Sequence, residues 1–117
     1  MLQGKPLTIN NDGEQRRDFT YVGDVVNANI LAATHPENLK GEAFNIGNGD
    51  NYSVNELADM FGGEKQYGVE VLEPFQTLAD NSKAKNILNW NPTGDLPAWI
   101  EKYKKELGIC SFKNISR

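Results

Sequence analysis

Apolar residues recur at helical spacing in four segments of the chain, and this pattern predicts four helices. The segments cover residues 23–34, 54–61, 82–88 and 96–107. Before the second, the run Ser53-Val54-Asn55-Glu56 is typical of a capping box, in which the serine caps the helix and the glutamate reaches back. Valines and alanines form the predicted apolar side of the first helix. The side chains expected to anchor the core are Trp90, Trp99 and Tyr103.

Short segments of alternating apolar and polar residues predict a small sheet. The candidate strands cover residues 7–10, 15–21, 42–46 and 67–72. Between the first two, Asp12-Gly13 is typical of a hairpin, because this pair tolerates the positive φ of a tight turn. We therefore expect an α/β fold in which a small sheet of short strands is combined with about four helices. One lobe is expected over residues 1–108, with a frayed tail over residues 109–117.

The composition is that of a polar, globular chain. Its 117 residues are 38% hydrophobic and 24% charged, with a formal net charge of −4. This size suits one domain with a modest core, and the negative charge argues against a nucleic-acid partner. Cys110 is the single cysteine, and no apolar run approaches the roughly 18 residues that span a membrane. We expect no internal disulfide, no membrane partner and a cytoplasmic location.

The most informative segment is residues 12–26, where a turn leads into Arg16-Arg17 and a helix begins directly behind. Guanidinium groups beside a helix N-terminus favour anionic oxygens. Two interpretations of Arg17 remain open: it binds an anionic ligand, or it pairs at the surface with Asp18 or Asp24. Arg16 is predicted to be a solvated partner. His35 is predicted to be structural or solvated, since no triad or metal cluster can be assembled around it.

Four groups of motifs, in the same order, resemble the extended short-chain dehydrogenases of the NAD-dependent nucleotide-sugar epimerase/dehydratase family. They are Gly4-Lys5-Pro6-Leu7-Thr8-Ile9, then Arg17-Asp18-Phe19, then Phe44-Asn45-Ile46-Gly47-Asn48-Gly49 with Ser53-Val54-Asn55-Glu56-Leu57, and Ala79-Asp80-Asn81-Ser82-Lys83-Ala84 with Leu88-Asn89-Trp90-Asn91-Pro92. The resemblance extends over residues 4–108. It implies the C-terminal, substrate-binding lobe of such an enzyme, similar to UDP-glucose 4-epimerases, which packs on a Rossmann domain in the family.

The resemblance also implies which residues meet a nucleotide sugar, most simply a UDP-sugar. Arg17 would contact the diphosphate. The other implied substrate-binding residues are Thr8, Ile9 and Asn10 along the base, Glu73 at the ribose, and Asn45 and Ser53 at the ends of a glycine-rich loop. Structural alternatives stay open for most of them: an edge strand for the first three, a solvent-facing strand end for Glu73, and a helix cap for Ser53.

Three features of the family are missing from this sequence. Gly47-Asn48-Gly49 is followed by Tyr52 where a dinucleotide-binding turn needs a third glycine. The family's catalytic Tyr-x-x-x-Lys unit does not occur, so we assign no catalytic, cofactor-binding or metal-binding residue. The arginine that the family commonly carries shortly before the carboxylate at Glu73 is also absent, and Glu70 stands nearby. NAD is implied for the parent enzymes, but we expect no epimerase activity from this chain alone.

Two functions from different classes remain open. The chain is the nucleotide-sugar-binding portion of an NAD-dependent epimerase or dehydratase, or it is a stand-alone binding or assembly module that kept the fold and lost catalysis. A truncated gene without a selected function is a third alternative. Because the family's lobe packs on a Rossmann half, an isolated copy would expose apolar surface. We therefore expect either a Rossmann-domain partner chain or self-association.

Overall fold

The computed structural model describes residues 4–108, which form four helices and four short strands. The helices are α1 (Val22–Ala33), α2 (Val54–Phe61), α3 (Ser82–Leu88) and α4 (Leu96–Glu106). The strands are β1 (Leu7–Ile9), β2 (Arg16–Arg17), β3 (Tyr52–Ser53) and β4 (Lys65–Tyr67). The α/β class, the short strands and the four helices predicted from the sequence are confirmed. The predicted frayed tail, with Cys110, lies outside the described residues.

The described chain divides into two compact units. The strand-bearing unit comprises the residues up to Arg17, Tyr52–Gln76 and those from Leu96 onward, and the helical unit comprises Asp18–Asn51 and Thr77–Asp95. In the strand-bearing unit, β1 pairs with β4 in parallel and β2 pairs with β3 in antiparallel fashion. Helices α2 and α4 of this unit contact each other, and its buried apolar side chains include Ile9, Ala58 and Ile100.

The helical unit is built around Trp90, which is fully buried against Ala28, Ala84 and Leu88. Its indole nitrogen donates a hydrogen bond of 2.9 Å to the carbonyl oxygen of Asp24, so the one polar group of the buried ring has a partner. The predicted helix over Ser82–Leu88 and the predicted role of Trp90 are both confirmed.

The predicted hairpin between residues 7–10 and 15–21 is wrong. Gly13 does adopt a positive φ of 77°, but the turn is fastened to the start of α2. The backbone N–H of Asn55 donates to the carbonyl oxygen of Gly13, and the Asn55 side chain donates to that of Asp12. These contacts lead the chain away from β1, so the predicted return strand shrinks to Arg16–Arg17 and pairs with β3 instead.

Two other predicted strands differ from the structure. Residues 42–46 form no ladder among the described residues, and Phe44 and Ile46 pack against the buried cluster of the helical unit instead. The strand predicted over residues 67–72 is displaced to Lys65–Tyr67. Beyond Gly68, whose N–H still donates to the Ile9 carbonyl oxygen, the regular ladder gives way to two contacts of Asn11: its N–H donates to the Val69 carbonyl oxygen, and its side chain accepts the N–H of Val71.

Two predicted apolar faces are rotated relative to the structure. In α4, Trp99 and Tyr103 stack on each other with ring centroids 4.8 Å apart and stay partly exposed, so they are not core anchors. Ile100, which the pattern also predicts to face inward, is buried. Lys104 is buried as well, and its ammonium donates to the Met60 carbonyl oxygen at 3.2 Å. In α1, the residues that turn inward are Asp24 and Ala28, whereas Val22, Val26 and Ile30 are each more than half exposed.

Candidate functional site

Arg17 is held in place by two neighbours in the strand-bearing unit. Its Nη1 donates to the Arg16 carbonyl oxygen at 2.7 Å, and its Nη2 donates to Oε2 of Glu73 at 2.8 Å. The two side chains of this ion pair are 24% and 26% exposed. The partner of Arg17 is therefore Glu73, and the predicted pairing with Asp18 or Asp24 is wrong, because those carboxylates accept hydrogen bonds within the helical unit.

Glu73 is the centre of a polar cluster that the sequence did not predict. Its Oε1 accepts from Nδ2 of Asn11 at 2.8 Å and from Nε2 of Gln15 at 3.0 Å. Arg17, Glu73, Asn11 and Gln15 together form what we call the Arg17 cluster. The alternative of a solvent-facing strand end for Glu73 is therefore wrong, whereas the ribose contact implied by the resemblance stays a prediction. Asn11 has a φ of 57°, a left-handed conformation that asparagine tolerates better than most residues.

A groove of about 830 Å³ lies beside this cluster in the strand-bearing unit. Its lining consists of Asn11, Asp12, Tyr67, Gly68, Glu70, Val71 and Leu72. Asn11 connects the groove to the cluster, since its Oδ1 accepts the Val71 N–H at 2.9 Å while its Nδ2 donates to Glu73. Among these seven described residues two are carboxylates and none is basic, so the lining itself disfavours an anion. Arg17 is linked to the groove through Glu73 and Asn11.

The segment predicted to lie along a base forms strand β1 and its end. The Ile9 side chain is buried, and its carbonyl oxygen accepts the Gly68 N–H of the ladder. The Asn10 carbonyl oxygen accepts from Gln15 at 2.9 Å. Because alternate residues of a strand direct their N–H and C=O groups to opposite sides, those of Thr8 point away from β4. Of the three residues, Thr8 therefore offers the backbone groups best placed for a ligand.

Ser53 and Asn45 belong to different units. Ser53 is buried in the strand-bearing unit, and its Oγ accepts the Glu56 N–H at 3.0 Å, so the helix-cap prediction is confirmed. The second half of the capping box is wrong, because Glu56 pairs with Arg16 at 2.9 Å instead of reaching back. Asn45 is exposed in the helical unit. Neither residue adds a contact to the Arg17 cluster among the bonds of the described chain.

Asp18 occupies the turn that most resembles a phosphate cradle. Its carboxylate accepts the backbone N–H groups of Asn48 at 2.9 Å, Gly49 at 3.0 Å and Ala79 at 3.2 Å. Such converging N–H groups form an anion-binding nest, and here the anion is supplied by the chain itself. A side chain at Gly47 would bring a Cβ within 2.9 Å of Asp18 Oδ2. The loop therefore does not fit the pyrophosphate of NAD, and the motif residue Asp18 has a structural role.

Other chemistry is sparse in the described residues 4–108. They contain no group of three histidine, cysteine, aspartate or glutamate side chains placed to hold a metal ion. Both ring nitrogens of His35 lie within 3.2 Å of backbone carbonyl oxygens, those of Glu37 and Ile87, as expected for a structural histidine. None of the helices in this part of the chain has the length and apolar character needed to cross a bilayer.

The comparisons with known proteins bear on the family of the chain. A model of the NAD dependent epimerase/dehydratase family matches residues 1–47. The uncharacterized UDP-glucose epimerase YtcB of Bacillus subtilis is 40% identical over 102 residues, which are 81% of this chain and 32% of that protein. The UDP-glucuronate 4-epimerase of Thermodesulfobacterium geofontis is 37% identical over 102 residues, which are 79% of this chain and 30% of that protein.

Solved structures show the same likeness. The UDP-glucuronic acid 4-epimerase of Bacillus cereus, in complex with UDP-glucuronic acid and NAD, is 36% identical with a TM-score of 0.79, over 91% of this chain and 37% of that one. The chain belongs to the NAD-dependent epimerase/dehydratase family, as its motifs predicted. It corresponds to a C-terminal part of the proteins of that family. It spans about a third of the length of the curated relatives it matches.

Proposed function

We propose that this chain is the nucleotide-sugar-binding portion of an NAD-dependent epimerase or dehydratase, and that its ligand is a UDP-sugar. The observation that carries the proposal is the Arg17 cluster beside the groove. Arg17 uses two of its five N–H donors on the protein, and its side chain stays 24% exposed. The relatives' names and solved complexes with UDP-glucuronic acid favour a uridine nucleotide. A cytoplasmic location stays a prediction.

In this proposal each part of the ligand has its own partner. The diphosphate binds Arg17, because a guanidinium makes charge-assisted hydrogen bonds to phosphate oxygens. The base lies along β1, where the N–H and C=O of Thr8 point away from β4. The ribose lies near Glu73. When NAD is bound by the parent enzyme it supplies hydride transfer to and from the sugar, and the residues for that step belong to the family's other part.

We expect Arg17→Ala to weaken binding of a UDP-sugar by about tenfold or more, because a hydrogen bond to a charged group contributes about 1.5–3 kcal/mol. NMR titrations of the chain with UDP-, dTDP- and GDP-sugars measure this and identify the base. Saturable shifts are expected at residues 8–10 and around Arg17.

Arg16→Ala is the matched control. Arg16 is the neighbouring arginine of the same strand, and its side chain pairs with Glu56 on α2. Its loss is expected to change the affinity less than about threefold, because partly exposed ion pairs contribute little. Equal losses in the two variants, or no shifts at millimolar UDP-sugar in a folded protein, would contradict the proposal.

A second candidate function, an assembly module, is favoured by the exposed apolar side chains of α1. Val22, Val26 and Ile30 recur at every fourth position and form one line along the helix, which we call the α1 stripe. The chain spans about a third of its relatives' length, so the stripe has a natural occupant in the remaining part of such an enzyme. We propose that the stripe binds a Rossmann-domain partner.

We expect Val26→Lys to weaken this association by at least about tenfold, roughly 1.4 kcal/mol, because the substitution places a charge in an apolar contact. Sedimentation velocity measures it, with the chain mixed with the separately produced Rossmann portion of the Bacillus cereus epimerase. Asn27→Lys, on the same helix but off the stripe, is the control and should leave association unchanged. Self-association of the chain in place of partner binding would assign the stripe to a second copy.

A further inference from the structure

We propose that Glu73 sets the ligand preference of the nucleotide site: by neutralising Arg17 it lowers the selectivity of the site for a diphosphate over an uncharged nucleoside. This inference rests on the nucleotide-binding function proposed above. It concerns a property that the motif around Arg17 does not reveal, because the residues that hold Glu73 are distant from it in sequence.

The carboxylate of Glu73 is held in position by hydrogen bonds to Oε1, the oxygen that does not contact Arg17. The amides of Asn11 and Gln15 reach its Oε1 at 2.8 and 3.0 Å, and both amides are themselves anchored. Asn11 also accepts the Val71 N–H, and Gln15, which is 5% exposed, also donates to the Asn10 carbonyl oxygen. Glu73 therefore cannot swing away from Arg17 without leaving two donors unpaired, one of them buried, and unpaired buried donors are costly.

The fixed carboxylate reduces the attraction of Arg17 for phosphate without abolishing it, because three of the five N–H donors of Arg17 remain available. Its Oε2 lies 2.8 Å from Nη2 of Arg17, and the pair as a whole carries no net charge. Because both side chains are mostly shielded from water, the attraction within the pair is screened less than at an open surface. A diphosphate that approaches through the groove also meets the carboxylates of Asp12 and Glu70.

The same geometry leaves Glu73 able to support the nucleoside. A carboxylate has about four lone-pair positions, and the donors of Asn11, Gln15 and Arg17 use three of them. The remaining position, on Oε2, accepts a hydroxyl group such as that of a ribose. Glu73 thus has two effects of opposite sign: it favours the sugar hydroxyls of a nucleoside and opposes its phosphates.

The test compares the dissociation constants of uridine and UDP, measured by NMR titration for the wild type and for Glu73→Gln. Glutamine can keep its oxygen for the Asn11 and Gln15 donors, but its NH2 group then faces Nη2 of Arg17. The variant therefore removes both the charge and the hydrogen-bond acceptor beside Arg17. The ratio of the uridine constant to the UDP constant is expected to rise about tenfold or more. Pyrophosphate, used alone, is expected to bind the variant more tightly than the wild type.

Glu64→Gln is the matched control, because it makes the same change of charge on an exposed carboxylate of the strand-bearing unit that does not line the groove. For this control, the ratio of the uridine constant to the UDP constant should change less than about threefold. Asn11→Gly provides a second route should Glu73→Gln fail to fold. Glycine readily adopts the φ of 57° at this position, and loss of the amide frees Glu73 to move, so the ratio should rise in the same direction.

The outcomes separate the two proposals. If the wild type binds UDP but the ratio is unchanged or lower in Glu73→Gln and in Asn11→Gly, Glu73 does not set the preference and nucleotide binding still stands. If the folded wild type binds neither uridine nor UDP at millimolar concentration, nucleotide binding is refuted and the role of Glu73 falls with it. A rise in the ratio with both variants and not with Glu64→Gln establishes the role.

Discussion

Replacement of Trp90 by alanine is expected to lower the free energy of unfolding of the helical unit by about 3–5 kcal/mol, the usual cost of removing a fully buried aromatic side chain. Trp90 is fully buried against Ala28, Ala84 and Leu88, and its indole N–H donates to the Asp24 carbonyl oxygen. The substitution therefore leaves both a cavity and an unpaired acceptor. Hydrogen exchange of the α1 and α3 amides measures the loss directly, since protection there reports opening of this unit.

Trp99→Ala is the control, because the same substitution is made at a side chain that is 44% exposed and stacks on Tyr103. Its cost is expected to be about 1 kcal/mol, from lost aromatic contact and partial burial. A loss at position 99 as large as that at position 90 would mean that the aromatic pair on α4 is part of a buried contact. That result would overturn the exposure described for α4.

The second large effect is expected at Asp24, whose carboxylate is buried at the start of α1. It accepts the N–H and hydroxyl of Thr93 at 3.0 and 2.7 Å and the N–H of Gly94 at 2.8 Å. Asp24→Ala leaves these donors without their acceptor and is expected to cost about 3 kcal/mol. Chemical denaturation at neutral pH measures the loss. Asp80→Ala, at an exposed carboxylate of the same unit, is expected to cost clearly less, and equal costs would contradict the prediction.

The effect of Asp24 is expected to depend on pH. Burial raises the pKa of this carboxyl, but the hydrogen bonds from the Thr93 hydroxyl, the Gly94 N–H and the Thr93 N–H outweigh it and hold the pKa below its ordinary value of 3.8. A pKa that is lower in the folded state gives stability that is complete above the ordinary value and is lost as the pH falls through the folded value. The difference between the wild type and Asp24→Ala should therefore shrink in acid.

Local sequence signals predicted the helices well. The start and stop of α2 follow from the Ser53 hydroxyl and from Gly62, which adopts the left-handed conformation at the helix end. The third helix was predicted with its observed bounds. These features depend on interactions between residues within a few positions of one another, so a short stretch of sequence is enough to predict them. The Arg17 motif was also found, although its partner was not.

The contacts that complete the site join distant parts of the chain. Asn11 and Glu73 are 62 positions apart, and the sequence around neither residue predicts the hydrogen bond between them. The predicted hairpin was wrong for the same reason: the turn at Asp12-Gly13 is real, but Asn55 takes up its carbonyl oxygens and redirects the chain. Residues 42–46 have the alternation of a strand, but a strand needs a pairing partner, which the described residues do not supply.

The parallel pairing of β1 with β4 has a consequence for the order in which the chain folds. Leu7 pairs with Lys65 and Ile9 with Tyr67, and both segments of the ladder are short. A chain emerging from the ribosome presents β1 long before β4 exists, and closing so large a loop is entropically costly. We expect α1 to form early from local contacts, whereas the surface that positions Arg17 and Glu73 is completed only after residue 73 has been synthesised.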